Sequence, residues 1–76
     1  MNMVPKPGDS VVLAEVPDGL LQGLPREDQI AIIEIVGKPV RLVKYSDGEA
    51  ELEFTDKHGN THFIYVNPRF IRTDSS

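Results

Sequence analysis

The run from Val40 to Val66 constrains this chain more than any other segment. It reads V-R-L-V-K-Y, S-D-G, E-A-E-L-E-F-T, D-K-H-G-N and T-H-F-I-Y-V. Three β-prone stretches separated by two glycine-containing turn signals predict a three-stranded antiparallel meander. The pairing can be followed through both turns. A three-residue loop at Ser46-Asp47-Gly48, with Gly48 in the left-handed position, sets Tyr45 opposite Glu49, Val43 opposite Glu51 and Arg41 opposite Glu53. On the other face it brings Leu42 to Leu52 and Val40 to Phe54. The five-residue loop Asp56–Asn60 then sets Phe54 opposite His62, Leu52 opposite Ile64 and Ala50 opposite Val66.

Both turns give the same partition. Val40, Leu42, Ala50, Leu52, Phe54, Ile64 and Val66 face inward. Arg41, Val43, Tyr45, Glu49, Glu51, Glu53, Phe63 and Tyr65 face outward. A slip of one residue in the second turn exchanges His62, Ile64 and Val66 with Phe63 and Tyr65, because the side-chain period of a strand is two.

The flanks complete a small domain over residues 9–73. Residues 1–8, with Pro5 and Pro7, form an extended tail. Asp9–Val16 is rich in β-branched residues and reads as the first strand, ended by Pro17-Asp18-Gly19. Pro25–Val36 reads as a helix of about three turns. Pro25 suits its first position, Glu27 and Asp28 its positive end, and Gly37 its C′ site. The β-branched run I-A-I-I-E-I-V opposes that reading and suits a strand over 30–36 as the alternative. As a helix it is apolar on most of its circumference, which calls for packing on more than one side. After the meander, Asn67-Pro68 breaks the strand, Pro68–Phe70 fits one 3₁₀ turn, and Ile71–Thr73 adds a short last strand. Residues 74–76 read as a frayed end.

With 76 residues and no cysteine, this is one domain that rests on packing alone. Neither a disulfide framework nor a thiolate metal site is available. No apolar stretch approaches a membrane span, and the start carries no signal-peptide core. The expectation is a cytoplasmic protein, monomeric or weakly dimeric, with no membrane association and no cofactor. Its net charge of −4 disfavours nucleic acid, whose binding draws on basic patches and counterion release.

The order of strand, long excursion, meander, 3₁₀ turn and short strand resembles the SH3-like barrel. Val66-Asn67-Pro68-Arg69-Phe70-Ile71 is similar to the segment that closes that barrel. There Val66 and Ile71 correspond to core positions and Phe70 to the groove aromatic. P-G-D-S-V-V-L, L-P-R-E-D-Q, V-G-K-P-V and A-E-L-E-F-T-D-K-H-G resemble small uncharacterised bacterial proteins of this type. The resemblance covers most of residues 7–73 and implies about five strands with one inserted helix. The first strand, V-V-L-A-E-V, departs from the aromatic A-L-Y-D-Y-like segment of peptide-binding SH3 domains, and there is no Trp. The aromatic ridges that grip proline-rich ligands are therefore missing.

No catalytic set assembles. Glu49, Glu51 and Glu53 at period two form a strand face, with Arg41 pairing Glu53, and not the cleft that paired catalytic carboxylates need. His58 and His62 with Asp56 lack the third close ligand of a metal site, and His62 is expected at the rim, hydrogen-bonded to the loop. The loop D-K-H-G-N leads into no helix and is not a phosphate cradle. Apolar and aromatic side chains on an outer face need a cover: the helix, the tail or a partner. The expected function is thus a non-catalytic protein-interaction module with an unknown protein partner, using Tyr45, Glu51, Glu53, Phe63, Tyr65 and Phe70. The alternatives are a nucleic-acid- or ribosome-associated domain using Lys38, Arg41, Lys44, Arg69 and Arg72, and a small immunity-type inhibitor presenting an acidic face.

Overall fold

The structure, a computed structural model, describes residues 4–74. Met1, Asn2 and Met3 of the expected tail, and Ser75 and Ser76 of the expected frayed end, lie outside the described residues. The fold is mainly β. Five strands, β1 (Ser10–Leu13), β2 (Pro39–Ser46), β3 (Glu49–Thr55), β4 (Thr61–Val66) and β5 (Ile71–Thr73), form one antiparallel sheet. Its order is β4-β3-β2-β1-β5, so the sheet is open, with β4 and β5 at its edges. A single helix, α1 (Arg26–Ile35), lies in the connection from β1 to β2, and a 3₁₀ turn (Pro68–Phe70) precedes β5.

The inward residues of the meander form the core as expected. Leu42, Ala50 and Leu52 are fully buried, and Val40, Phe54, Ile64 and Val66 nearly so. Val11 and Leu13 of β1 and Ile71 of β5 extend this layer, and Ala31 and Ile32 of α1 join it. The first strand is shorter than its β-branched composition suggests. It ends at Leu13, after which the Ala14 N–H bonds to the Phe70 carbonyl.

The first hairpin departs from the expected register. Its turn has two residues, Asp47 and Gly48, with φ of 52° and 80°, and Ser46 pairs with Glu49. Positive φ at both central positions is the twist-matched hairpin turn that Asp-Gly favours. The count is restored by a bulge between Leu42 and Lys44, so that Leu42–Leu52 and Arg41–Glu53 pair as expected. Nearer the turn, Lys44 faces Glu51 and Tyr45 faces Ala50. Val43 is the extra residue and has no partner opposite. Lys44 therefore takes the outer position expected for Val43. Tyr45 lies on the core side of the sheet, where its hydroxyl donates to the Pro5 carbonyl at 2.8 Å.

The Pro25–Val36 segment is helical, against its β-branched composition, because burial of Ala31 and Ile32 offsets the local preference. The helix begins at Arg26. Pro25 is the N-cap, with ψ of 150°, and its carbonyl accepts from Asp28 and Gln29. Gly37 follows the C-cap Val36 and so occupies the C′ site expected for it. Val36 is extended and Gly37 has φ of 82°, with Lys38 N–H bonded to the Ile35 carbonyl. This is a type II turn, which requires positive φ at its third residue. Upstream, successive turns over residues 17–24 are tied to the helix by Gln29, whose side-chain amide donates to the Leu21 and Leu24 carbonyls. At the other end of the chain Asp74 is held to β1, its N–H on the Ser10 carbonyl and its carboxylate accepting from the Ser10 hydroxyl at 3.0 Å.

Leu52 is fully buried on β3, the middle strand of the meander, whereas Ile33 is 54% exposed on α1. Leu52→Ala is expected to lower the unfolding free energy by about 2–5 kcal/mol. Ile33→Ala is expected to change it by no more than about 0.5 kcal/mol. Urea denaturation of the two variants checks the contrast.

Candidate functional site

The antiparallel registers set three rows of side chains across the outer face of the sheet. One row runs Ser10, Arg41, Glu53, Phe63 from β1 to β4. The next runs Lys44, Glu51, Tyr65. A third pairs Arg72 with Val12 and Val12 with Pro39. Each of the first two rows ends on β4 in an aromatic ring that is about half exposed, at 53% for Phe63 and 49% for Tyr65.

The glutamates of these rows are not an open acidic surface. Glu53 is ion-paired with Arg41 at 3.9 Å. Glu51 is only 8% exposed, the one buried charged residue among those described. Burying a carboxylate is costly unless it is hydrogen-bonded or paired. Its Oε2 accepts from the Tyr65 hydroxyl at 3.3 Å, and Lys44 lies opposite it in the ladder. The Glu51 charge, burial and the shared hydrogen bond push the Tyr65 phenol above its ordinary pKa.

The helix does not cover this face. It contributes Ala31 and Ile32 to the core, on the other side of the sheet, and leaves Ile30 and Ile33 exposed. Its buried residues, Ala31 and Ile32, face the core, and Gln29 ties it to the turns over residues 17–24. The six residues singled out for partner binding therefore do not form one patch. Glu51, Glu53, Phe63 and Tyr65 share the outer face. Tyr45 sits on the core side. Phe70 packs against the core with the Arg69 guanidinium 4.8 Å from its ring centre. The basic residues are dispersed: Arg41 and Lys44 face acids, Arg69 covers Phe70, and Arg72 lies on β5.

A second cluster joins the helix to the second hairpin. The Asp56 carboxylate accepts from the backbone N–H groups of His58 and Asn60 at 2.8 and 2.9 Å, which shapes the loop. Its other oxygen meets His62 Nε2 at 2.8 Å. His62 Nδ1 is 3.5 Å from Asp28 on the first turn of α1, and the imidazole stacks on Phe54 with ring centres 5.1 Å apart. The loop position of His62 agrees with expectation. The Asp28 contact is long-range and carries no local sequence signal. Both ring nitrogens are engaged by carboxylates, so His62 is not placed as a free base. Among the described residues no group of three or more His, Cys, Asp or Glu side chains is arranged to hold a metal ion.

Two clefts flank this cluster. One of about 610 Å³ lies between α1 and the sheet, lined by Glu34, Lys38, Arg41, Glu53 and Lys57 among others. The other, of about 370 Å³, is lined by Arg26, Glu27, Ile30 and His58. The Glu34–Lys57 ion pair, at 3.9 Å, borders both. Charges of both signs alternate along them, and neither presents a nucleophile beside an unengaged base. No described helix is long and apolar enough to cross a membrane. No protein-family model, curated protein or solved structure matches this chain.

Two titrations test this geometry. The hydrogen bonds from His62, Asn60 and His58 lower the Asp56 pKa from 3.8 to about 2. The folded state thus resists protonating Asp56 more than the unfolded chain does. The stability from these bonds is complete above about pH 4 and is lost as pH falls toward 2. Asp56→Asn is expected to flatten the fall in urea midpoint over that window relative to the wild type. For the outer face, Glu51→Gln is expected to bring the Tyr65 phenol down toward its ordinary range, read by ultraviolet absorbance against a Tyr65→Phe reference.

Proposed function

We propose that this chain is a non-catalytic protein-interaction module of the small bacterial SH3-like kind. The strand order β4-β3-β2-β1-β5, the helix in the long β1–β2 connection and the 3₁₀ turn before β5 support the SH3-like reading. The single observation that carries the functional reading is the open outer face. Phe63 and Tyr65 stay about half exposed on adjacent outward positions of β4, and the chain's own helix lies elsewhere. Aromatic side chains of this kind anchor interfaces because they bury large area at small entropic cost. The Arg41–Glu53 pair beside Phe63, and Lys44 with Glu51 beside Tyr65, form a polar rim of mixed sign.

That mixed sign bears on the alternatives. An immunity-type inhibitor built on an acidic face needs accessible carboxylates, and Glu51 is buried while Glu53 is paired. A nucleic-acid surface needs a basic stripe. Here Arg41 and Lys44 are each matched by a glutamate in the next strand. Neither arrangement favours those readings over a neutral, aromatic contact. Catalysis is disfavoured by the engagement of His62 on both nitrogens.

The test is capture of partners from a lysate of the source cell, with cross-linking, on the wild type and on a Phe63→Ala/Tyr65→Ala double variant. The double variant is expected to lose the specific partners, while Ile33→Ala on the helix keeps them. Retention of every partner by the double variant would place the interaction surface elsewhere.

A further inference from the structure

The sheet has two edges, and they are built differently. β5 is three residues long, carries Arg72, and is followed at once by Asp74. Short length and charge are the usual means of preventing an edge from pairing with another chain. β4 is six residues long, T-H-F-I-Y-V, with no Pro, Lys, Glu or Asp and no bulge against β3. Its one titratable group besides Tyr65 is His62, held between Asp56 and Asp28.

The register identifies which backbone groups of β4 are free. The Asp56 N–H bonds to the Asn60 carbonyl. Hydrogen-bonded and non-hydrogen-bonded pairs alternate along an antiparallel ladder. The pairs Phe54–His62, Leu52–Ile64 and Ala50–Val66 therefore exchange bonds with β3. The N–H and C=O groups of Thr61, Phe63 and Tyr65 point the other way, to the open edge. No hydrogen bond to another described residue engages them.

We propose that this edge pairs with β4 of a second copy of the chain, antiparallel, about a two-fold axis at Phe63. Three features favour a second copy as the occupant. The free positions Thr61, Phe63 and Tyr65 are symmetric about Phe63, so Phe63 opposite Phe63 and Thr61 opposite Tyr65 bring all the outward groups into bonded pairs. The side chains brought together are neutral, and aromatic pairs across strands are favourable. The acidic net charge does not oppose the contact closely, because the β3 glutamates of the two copies stand three strand spacings apart, about 14 Å. That exceeds a screening length of about 8 Å at physiological salt. The product is a continuous ten-strand sheet with both outer faces on one side. This proposal goes beyond the module reading and does not rest on it, since it uses the backbone of β4 and a second copy of the chain.

Sedimentation equilibrium across the micromolar to millimolar range tests it, with amide hydrogen exchange followed at both ends of that range. A monomer–dimer equilibrium is expected. On concentration, exchange at Thr61, Phe63 and Tyr65 should slow, while His62, Ile64 and Val66 stay protected throughout. Thr61→Pro removes an outward N–H without touching the β3 ladder and leaves Phe63 and Tyr65 in place; it should weaken the dimer at least ~10-fold. Phe63→Lys should do the same by placing like charges opposite each other. Protection at His62 and Ile64 reports that each variant still folds. Because Thr61→Pro keeps the aromatic face, retention of other partners alongside loss of the dimer separates the two proposals. A monomer at every concentration, a dimer unaffected by both variants, or a dimer dissolved by Ile33→Lys on α1 overturns the assignment.

Discussion

Everything in this fold depends on the cross-strand row Leu42–Leu52–Ile64. Leu52 lies on β3, between β2 and β4, and the ladders on both sides bring an apolar residue opposite it. A domain of this size without disulfides has little apolar surface to bury, so a register that loses this row loses the fold. The first hairpin shows how firmly it is held. Its turn takes the two-residue form that Asp47-Gly48 favours, which alone would offset the ladder by one residue. The bulge at Val43 absorbs the offset before Leu42 is reached. Local turn chemistry and core registry are thus both satisfied, and the extra residue is a half-buried valine left without a partner opposite.

The helix is attached to this sheet by two different kinds of contact. Ala31 and Ile32 supply the apolar one. Asp28 supplies the polar one through His62, which also closes the β3–β4 loop on Asp56. The seat of α1 on the second hairpin therefore runs through a single side chain. Ile30 and Ile33, three residues apart and so neighbours on the helix surface, stay exposed.

Much of the fold was legible in the sequence because period-two alternation and glycine turns are local signals. The inward set of the meander, the helix over 25–36, the 3₁₀ turn at Pro68 and the short last strand were read from such signals. The open sheet is less than the barrel the resemblance implied. What escaped local reading was whatever depends on counting or distance. Asp-Gly as a two-residue turn and Ser-Asp-Gly as a three-residue loop predict pairings that differ by one, and the bulge makes them agree beyond Leu42. The three-residue count predicts Tyr45 beside Phe63 and Tyr65, whereas it lies on the opposite face. Asp28 and His62 are far apart in the chain, and nothing near either residue announces their meeting. The burial of Glu51 carries no local signal either, since its hydrogen-bond partner Tyr65 comes from the next strand.

Glu51 also says something about the outer face itself. A solvated strand surface has no need to bury a carboxylate, and a threonine or serine at that position would hydrogen-bond without the desolvation cost. The carboxylate is instead placed where it accepts from the Tyr65 hydroxyl and faces Lys44. The hydroxyl end of Tyr65 thereby has a partner within the sheet while about half of the side chain stays in solvent. The buried carboxylate on β3 and the half-exposed ring on β4 are thus joined by one hydrogen bond across the outer face.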